Sequence, residues 1–261
     1  MTPPPVLTSR RLSSLKGIRH GFFTRQGGVS GGPYASLNCS LSSGDARGAV
    51  LANRARAARA IGADPDHLVG LIQVHGAEVV EVTIPWSPGN GPRADAMVTT
   101  RRNIALGIIT ADCAPILLAD TEAGVAGATH AGWRGAVAGV IEATVGAMIH
   151  LGAHPAAIVA AIGPCISQTS YEVGADLRDA VLANQPDHAR FLAPGRRDGR
   201  WQFDLASYCT ARLAATGIHS VSVLGVDTAA DAAMFFSHRR RTLNGGGPIG
   251  HQISIITLDP G

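Results

Sequence analysis

The chain has 261 residues, 46% hydrophobic and 16% charged, which is ample for a large core and argues against a disordered chain. A formal charge of +3, with no dense basic face interleaved with aromatics, argues against nucleic-acid binding, yet the mild excess suits a small anionic substrate. The N-terminal MTPPPVLTSRRL lacks a signal-length apolar stretch, Asp112 and Glu142 interrupt the strongest apolar runs, and the four cysteines include no C-x-x-C pair. A cytoplasmic protein with reduced thiols and no membrane span is expected.

In chain order, Leu15 to Phe23 reads as a strand leading into a glycine-rich loop, Gln26 to Gly32. Asp45 to Ile61 reads as a helix with Asp45 as N-cap and Gly62 as its stop. Short strands are expected at Leu68 to Gln73 and Val79 to Ile84, on either side of a turn carrying His75. After a Pro- and Gly-rich loop, Ala96 to Thr99, Ile104 to Ile109, Ile116 to Asp120 and Val125 to Thr129 have the apolar, β-branched composition of buried strands. A long helix follows over Ala136 to His150, then a strand over Ile158 to Ile162. Gly174 to Asn184 and Asp204 to Thr216 read as helices, separated by a polar excursion from Arg190 to Arg200. Val221 to Leu224 and Ile253 to Leu258 read as late strands around the basic, glycine-rich segment His238 to Gly250. No linker divides residues 1–261, so one mixed α/β domain is expected.

The chemistry concentrates at His75 in QVHG, Cys113 in TADCAP and His130 in HAGWRG. One thiolate and two imidazoles make a three-ligand zinc set that leaves a fourth position for water or substrate. Such an ion lowers the pKa of bound water or polarises a substrate oxygen. Each residue also has a plainer reading. Cys113 beside apolar neighbours suits a small core residue, and the three ligands come from separate turns with no local spacing to join them. Asp112 and Glu172 are candidate acid/base or ligand-orienting carboxylates, or equally turn and helix caps. Arg134 is a candidate anion clamp or a solvated turn residue. His150 and His154 are four apart, but Gly152 and Pro155 break the helix that a metal pair would need.

These blocks resemble the YfiH family, also called the peptidoglycan editing factor or multicopper polyphenol oxidase family. GFFTRQGGVS with SLN, QVHG, DAMVTT, TADCAPILLAD, HAGWRG, IGPCIS with YEVG, FDL and FFSHRR run in the family's order over nearly the whole chain. The resemblance implies an α+β fold, a four-layer α–β–β–α sandwich of mixed sheets like the catalytic domain of cytotoxic necrotizing factor. It joins His75, Cys113 and His130 into one metal site, with Cys113, His130 and Asp112 as the catalytic group. It adds Arg25, Asn38, Arg239 and Arg240 to Arg134 as substrate-binding candidates. The implied activity is zinc-dependent phosphorolysis of adenosine, inosine and methylthioadenosine, accompanied by adenosine deamination. The expected partners are a purine nucleoside and phosphate, in a monomer or weak homo-oligomer.

Two alternatives stand beside it: a Cys–His hydrolase or amidase editing peptidoglycan precursors, and a copper-dependent polyphenol oxidase. Copper has the higher intrinsic affinity for such ligands, but the chain contains no H-x-H pair of the multicopper type. Two positions depart from the family pattern. Asp227 stands where cysteine is common, and His251 where arginine is common.

Overall fold

A computed structural model describes residues 3–259. The first half contains β1 (Val6–Leu7), α1 (Arg10–Ser13), β2 (Ile18–Phe23), α2 (Arg47–Ala60), β3 (Leu68–Val69) and β4 (Val79–Glu81). The centre contains β5 (Ala96–Thr99), β6 (Ala105–Thr110), β7 (Ala114–Asp120), β8 (Val125–Ala131), α3 (Trp133–Ala138) and α4 (Val140–His150). The remainder is β9 (Val159–Ile162), β10 (Glu172–Val173), α5 (Ala175–Asn184), β11 (Leu192–Pro194), β12 (Trp201–Phe203), α6 (Leu205–Ala215), β13 (Ser220–Val223), α7 (His238–Leu243) and β14 (Gln252–Leu258).

Two mixed sheets carry the fold, one ordered β1-β2-β14-β6-β3 and the other β13-β9-β7-β8-β5-β4. Their side chains alternate with the period of two that a strand imposes. Phe22, Leu106, Ile108 and Ile256 meet Met97, Leu117, Ala119 and Ala128 between the sheets. The opposite face of the first sheet, through Phe23, Ala105, Ile253 and Ile255, packs on Ala57 and Ala58 of α2. The opposite face of the second, through Val98, Ile116 and Leu118, packs on Val140, Ile141, Val145 and Met148 of α4. This gives the expected α–β–β–α layering. Each fully buried large apolar side chain in it contributes roughly 1.5–3 kcal/mol.

Several local expectations change. Asp45 is not the N-cap of α2, whose cap position is Ala46. Its carboxylate instead accepts from Ser30, Asn38 and the Ala46 amide, tying the preceding loop. Gly62 does end the helix in the left-handed conformation, and the Ala63 amide reaches back to the Ala58 carbonyl. The long helix expected over 136–150 is two helices, because Gly139 at φ 96° breaks it between α3 and α4. The polar excursion at 190–200 contains β11, which pairs antiparallel with β12 just beyond it, and β10 joins them as a small third sheet. The basic segment after Ser237 opens as α7, with the Ser237 hydroxyl accepting from the Arg240 amide.

The strand order positions the chemistry. β7 and β8 pair antiparallel, Ala114 opposite Ala131 and Pro115 opposite His130, so Cys113 and His130 lie at the same end of one hairpin. The turn carrying His75 lies between β3 of one sheet and β4 of the other.

Candidate active site

Asp95, immediately before β5, builds the site. Its buried carboxylate accepts from the amides of Val74, His75 and Gly76, fixing the turn that presents His75. The same carboxylate accepts from His130 Nδ1 at 2.7 Å, and the Asp95 carbonyl accepts from the His130 amide. Burial works against the charge on Asp95, but the His130 contact and the loop amides outweigh it and lower its pKa. His75 itself sits at φ 61°, a conformation an ordinary side chain adopts at some energetic expense and which the Asp95 clamp sustains.

The ligand atoms of His75, Cys113 and His130 all lie within 4.8 Å of one another, and Cys113 Sγ is 3.9 Å from His75 Nε2. The two imidazoles meet edge to face, centroids 4.8 Å apart. Gly132 makes room for them. A Cβ there would lie 2.9 Å from His75 Cδ2 and 3.0 Å from Cys113 Sγ. Burial pushes the Cys113 thiol up, but the charge and hydrogen bond of His130, with those of His75, bring it down to about 6. Burial pulls His130 down, and the Cys113 thiolate and Asp95 outweigh it, raising it to about 9.

The donor set fits a metal ion. Two convergent imidazoles and a thiol are borderline-soft ligands, and the carboxylate on His130 Nδ1 orients a ligating imidazole as outer partners of metal sites do.

The group opens onto a cavity of about 800 Å³ whose walls include Cys39, Arg47, Arg54, Thr110, Asp112, Trp133, Arg134, Tyr171, His238, Arg239 and His251. Among the described residues Asp112 is the only acidic one in those walls, and its carboxylate is engaged. It accepts from the Thr228 hydroxyl, the Ser237 hydroxyl and the Arg239 amide, so it anchors the start of α7 against the Cys113 turn. The geometry therefore gives Asp112 an anchoring place, with both carboxylate oxygens engaged by the protein. Thr110 Oγ1 and His251 Nδ1, both lining the cavity, are buried without a protein partner.

The structure brings together His75, Cys113, His130, Asp112, Arg134 and Arg239, but places three expected substrate binders elsewhere. Asn38 is fully buried and holds the loop through Ser43, Asp45 and the amides of Ser40 and His251. The Arg25 guanidinium donates to the carbonyls of Ala35 and Ala232 and lies over the Phe236 ring. Arg240 donates to the carbonyls of Thr228, Ala229 and Phe235. None of the three lines the cavity. Glu172 pairs with Arg197 on the surface and is not a wall residue either. Arg239 reaches the Glu172 carbonyl and lies over Tyr171, and Arg134 lies over Trp133.

Asp95, Tyr171, Arg47, Arg54 and His238 were not singled out from sequence. A readable signal existed for Asp95, a carboxylate directly before an apolar strand. Another existed for Arg54, a cation on the helix face that buries Val50, Ala57 and Ala58.

The same architecture recurs in solved structures. A Neisseria meningitidis protein of family DUF152 superposes with a TM-score of 0.86 at 31% identity, covering 99% of this chain and 100% of that one. The Bacillus licheniformis hypothetical protein YfiH superposes with a TM-score of 0.88 at 27% identity, covering 99% and 97%. Among curated relatives, a purine nucleoside phosphorylase of Streptomyces coelicolor is 44% identical over 232 residues, 89% of this chain and 94% of its own. A purine nucleoside phosphorylase of Deinococcus radiodurans is 42% identical, covering 99% and 95%. With residues 19–259 also matched by the family model described as multi-copper polyphenol oxidoreductase laccase, the chain belongs to that family.

Proposed function

We propose that this protein is a metal-dependent purine nucleoside phosphorylase, acting on adenosine, inosine and methylthioadenosine, with zinc held by His75, Cys113 and His130. The observation that carries this reading is the cavity itself. It joins the ligand group to aromatic faces and to four arginines, with its one carboxylate already engaged. A pocket of that size takes a nucleoside, and its charge favours an anionic co-substrate. The names of the relatives point the same way.

In this reading Tyr171 and Trp133 offer ring faces to the purine, while Thr110 Oγ1 and His251 Nδ1 offer it or the ribose neutral hydrogen bonds. The arginines hold phosphate so that one oxygen bonds to C1′ as the glycosidic N9–C1′ bond breaks. The purine leaves with the bonding electrons and takes up a proton. A divalent ion at the three ligands supplies a Lewis acid to a substrate oxygen or nitrogen. Deamination of adenosine, with water in place of phosphate, fits the same cavity.

The test is product analysis with metal-analysed protein. Base release from inosine is expected to require phosphate and to yield ribose 1-phosphate, and ammonia release from adenosine to proceed without phosphate. Nucleosides that survive intact with zinc and phosphate present sink the proposal.

One observation favours a second reading. Cys113, His130 and Asp95 also form a thiol–imidazole–carboxylate series, with the thiol down to about 6, which suits a metal-free cysteine amidase. Activity on an amide that survives exhaustive chelation would select it.

A further inference from the structure

Four arginines line the cavity, and three have evident partners. Arg239 reaches the Glu172 carbonyl, Arg134 lies on the Trp133 ring, and Arg47 donates to the Pro88 carbonyl. Arg54 does not fit that pattern. It is 6% exposed, yet among the described residues it pairs with no carboxylate. Among the described residues its hydrogen bonding is a 3.5 Å contact from Nη1 to the Cys39 carbonyl. The neighbouring Cys39 thiol brings no counter-charge, because burial, opposed in part by Arg54, pushes it up to about 12. A guanidinium carries five donors, and a buried cation without a partner is among the most unfavourable groups a fold can hold. Such a group is explained when a ligand completes it.

Its surroundings define that ligand. Arg54 lies two helical turns after Arg47 on α2, so both face the same side. Gly70 lies against the Arg54 guanidinium, Gly91 packs on Gly70, and Ser40 follows Cys39; with Ser42 all line this cavity, where among the described residues Asp112 is the one acid. Gly91 is needed there. A Cβ on it would lie 2.1 Å from the Gly70 carbonyl oxygen.

We infer that Arg54, flanked by Arg47, forms the subsite for a phosphate dianion at the end of the cavity walled by Ser40 and Ser42. As the site of the co-substrate, this rests on the phosphorylase reading. Two planar guanidinium forks and two hydroxyls match the oxygens of a phosphate better than those of a neutral base.

The experiment is thermal melting and binding of metal-loaded protein with inorganic phosphate as the probe. Phosphate is expected to raise the wild-type Tm saturably. Arg54→Met is expected to melt at or above the wild-type temperature in phosphate-free buffer, because an unpaired buried charge has been removed. It should lose the phosphate response, with Kd for phosphate weakened about 10- to 100-fold. Arg47→Gln, at an exposed position, should fold normally and weaken phosphate by about 3- to 10-fold. If Arg54→Met fails to fold, Arg54→Lys and Arg47→Gln carry the test.

A phosphate response in these variants equal to wild type overturns the subsite. So does an Arg54→Met protein that is destabilised without phosphate and binds phosphate normally. A parallel titration with adenosine 5′-monophosphate separates free phosphate from a phosphomonoester as the source of the dianion. Phosphorolysis with wild-type phosphate affinity in the variants removes the subsite and leaves the phosphorylase reading. Arg54-dependent phosphate binding without nucleoside cleavage does the reverse.

Discussion

The two ends of the cavity are built on opposite terms. At the His75–Cys113–His130 end the support is over-determined. Asp95 alone takes three loop amides and one imidazole, and Gly132 leaves the space the ligands fill. At the α2 end a buried guanidinium has one long contact to a carbonyl. Elsewhere in the same molecule, Arg25 and Arg240 show what an arginine looks like when it serves the fold, with its donors on backbone carbonyls. The difference teaches that the number of arginines near a pocket says little. What separates a structural arginine from a binding one is whether the protein itself satisfies its donors.

The sharpest way to break the comparison is at Asp95. Asp95→Asn keeps the shape but removes the charge that His130 Nδ1 faces, so metal affinity is expected to fall 10- to 100-fold. Cys113→Ala should abolish metal retention, while Cys209→Ala, in a fully buried apolar setting, should retain it. Elemental analysis after dialysis checks all three. Equal metal content in Asp95→Asn and wild type would show that the carboxylate is only a loop fastener.

Next in size is Arg240→Ala. Removing a cation from three carbonyls is expected to cost about 2–3 kcal/mol of stability, with the KM for phosphate unchanged. A raised phosphate KM without loss of stability, from chemical unfolding and kinetics together, would put Arg240 back among the binding residues.

The smallest effect separates fold from site by pH. His20, on β2, is buried and accepts from the Ser9 amide through Nε2. Burial holds its pKa down to about 4, from an ordinary 6.5. The folded chain therefore keeps this imidazole neutral while the unfolded chain protonates it. The resulting stability is present above pH 6.5 and is lost as pH falls toward 4, by about 1–2 kcal/mol between pH 7.5 and 5. Urea midpoints across that range should fall more steeply for wild type than for His20→Gln. Parallel curves would remove His20 as the cause.

Much of this was legible in the sequence, for physical reasons. The strands at Ala96–Thr99 and Val125–Ala131 announced themselves because burial on both faces demands continuous apolar residues. The helix stop at Gly62 was legible because few residues but glycine tolerate its φ of 72°. His75, Cys113 and His130 were legible as a candidate ligand set from their chemistry, but it took the resemblance to join them into one site, since they come together through strand order, not spacing. Arg25 and Arg240 misled because an arginine in a glycine-rich or basic segment reads the same whether it meets carbonyls or anions. The helix break at Gly139 was missed because apolar residues continue on both sides of it.

The hairpin placement of Cys113 and His130 has a consequence for how the chain matures. Those two side chains become neighbours as soon as β7 and β8 zip together, a local event. His75 joins them only when its loop is clamped by Asp95, after segments from both sheets have met. On the proposed metal reading, a half-formed chain would offer an ion two ligands and the completed fold three. Metal retention would then be a seal on correctly folded molecules, adding its binding free energy to the closed state alone.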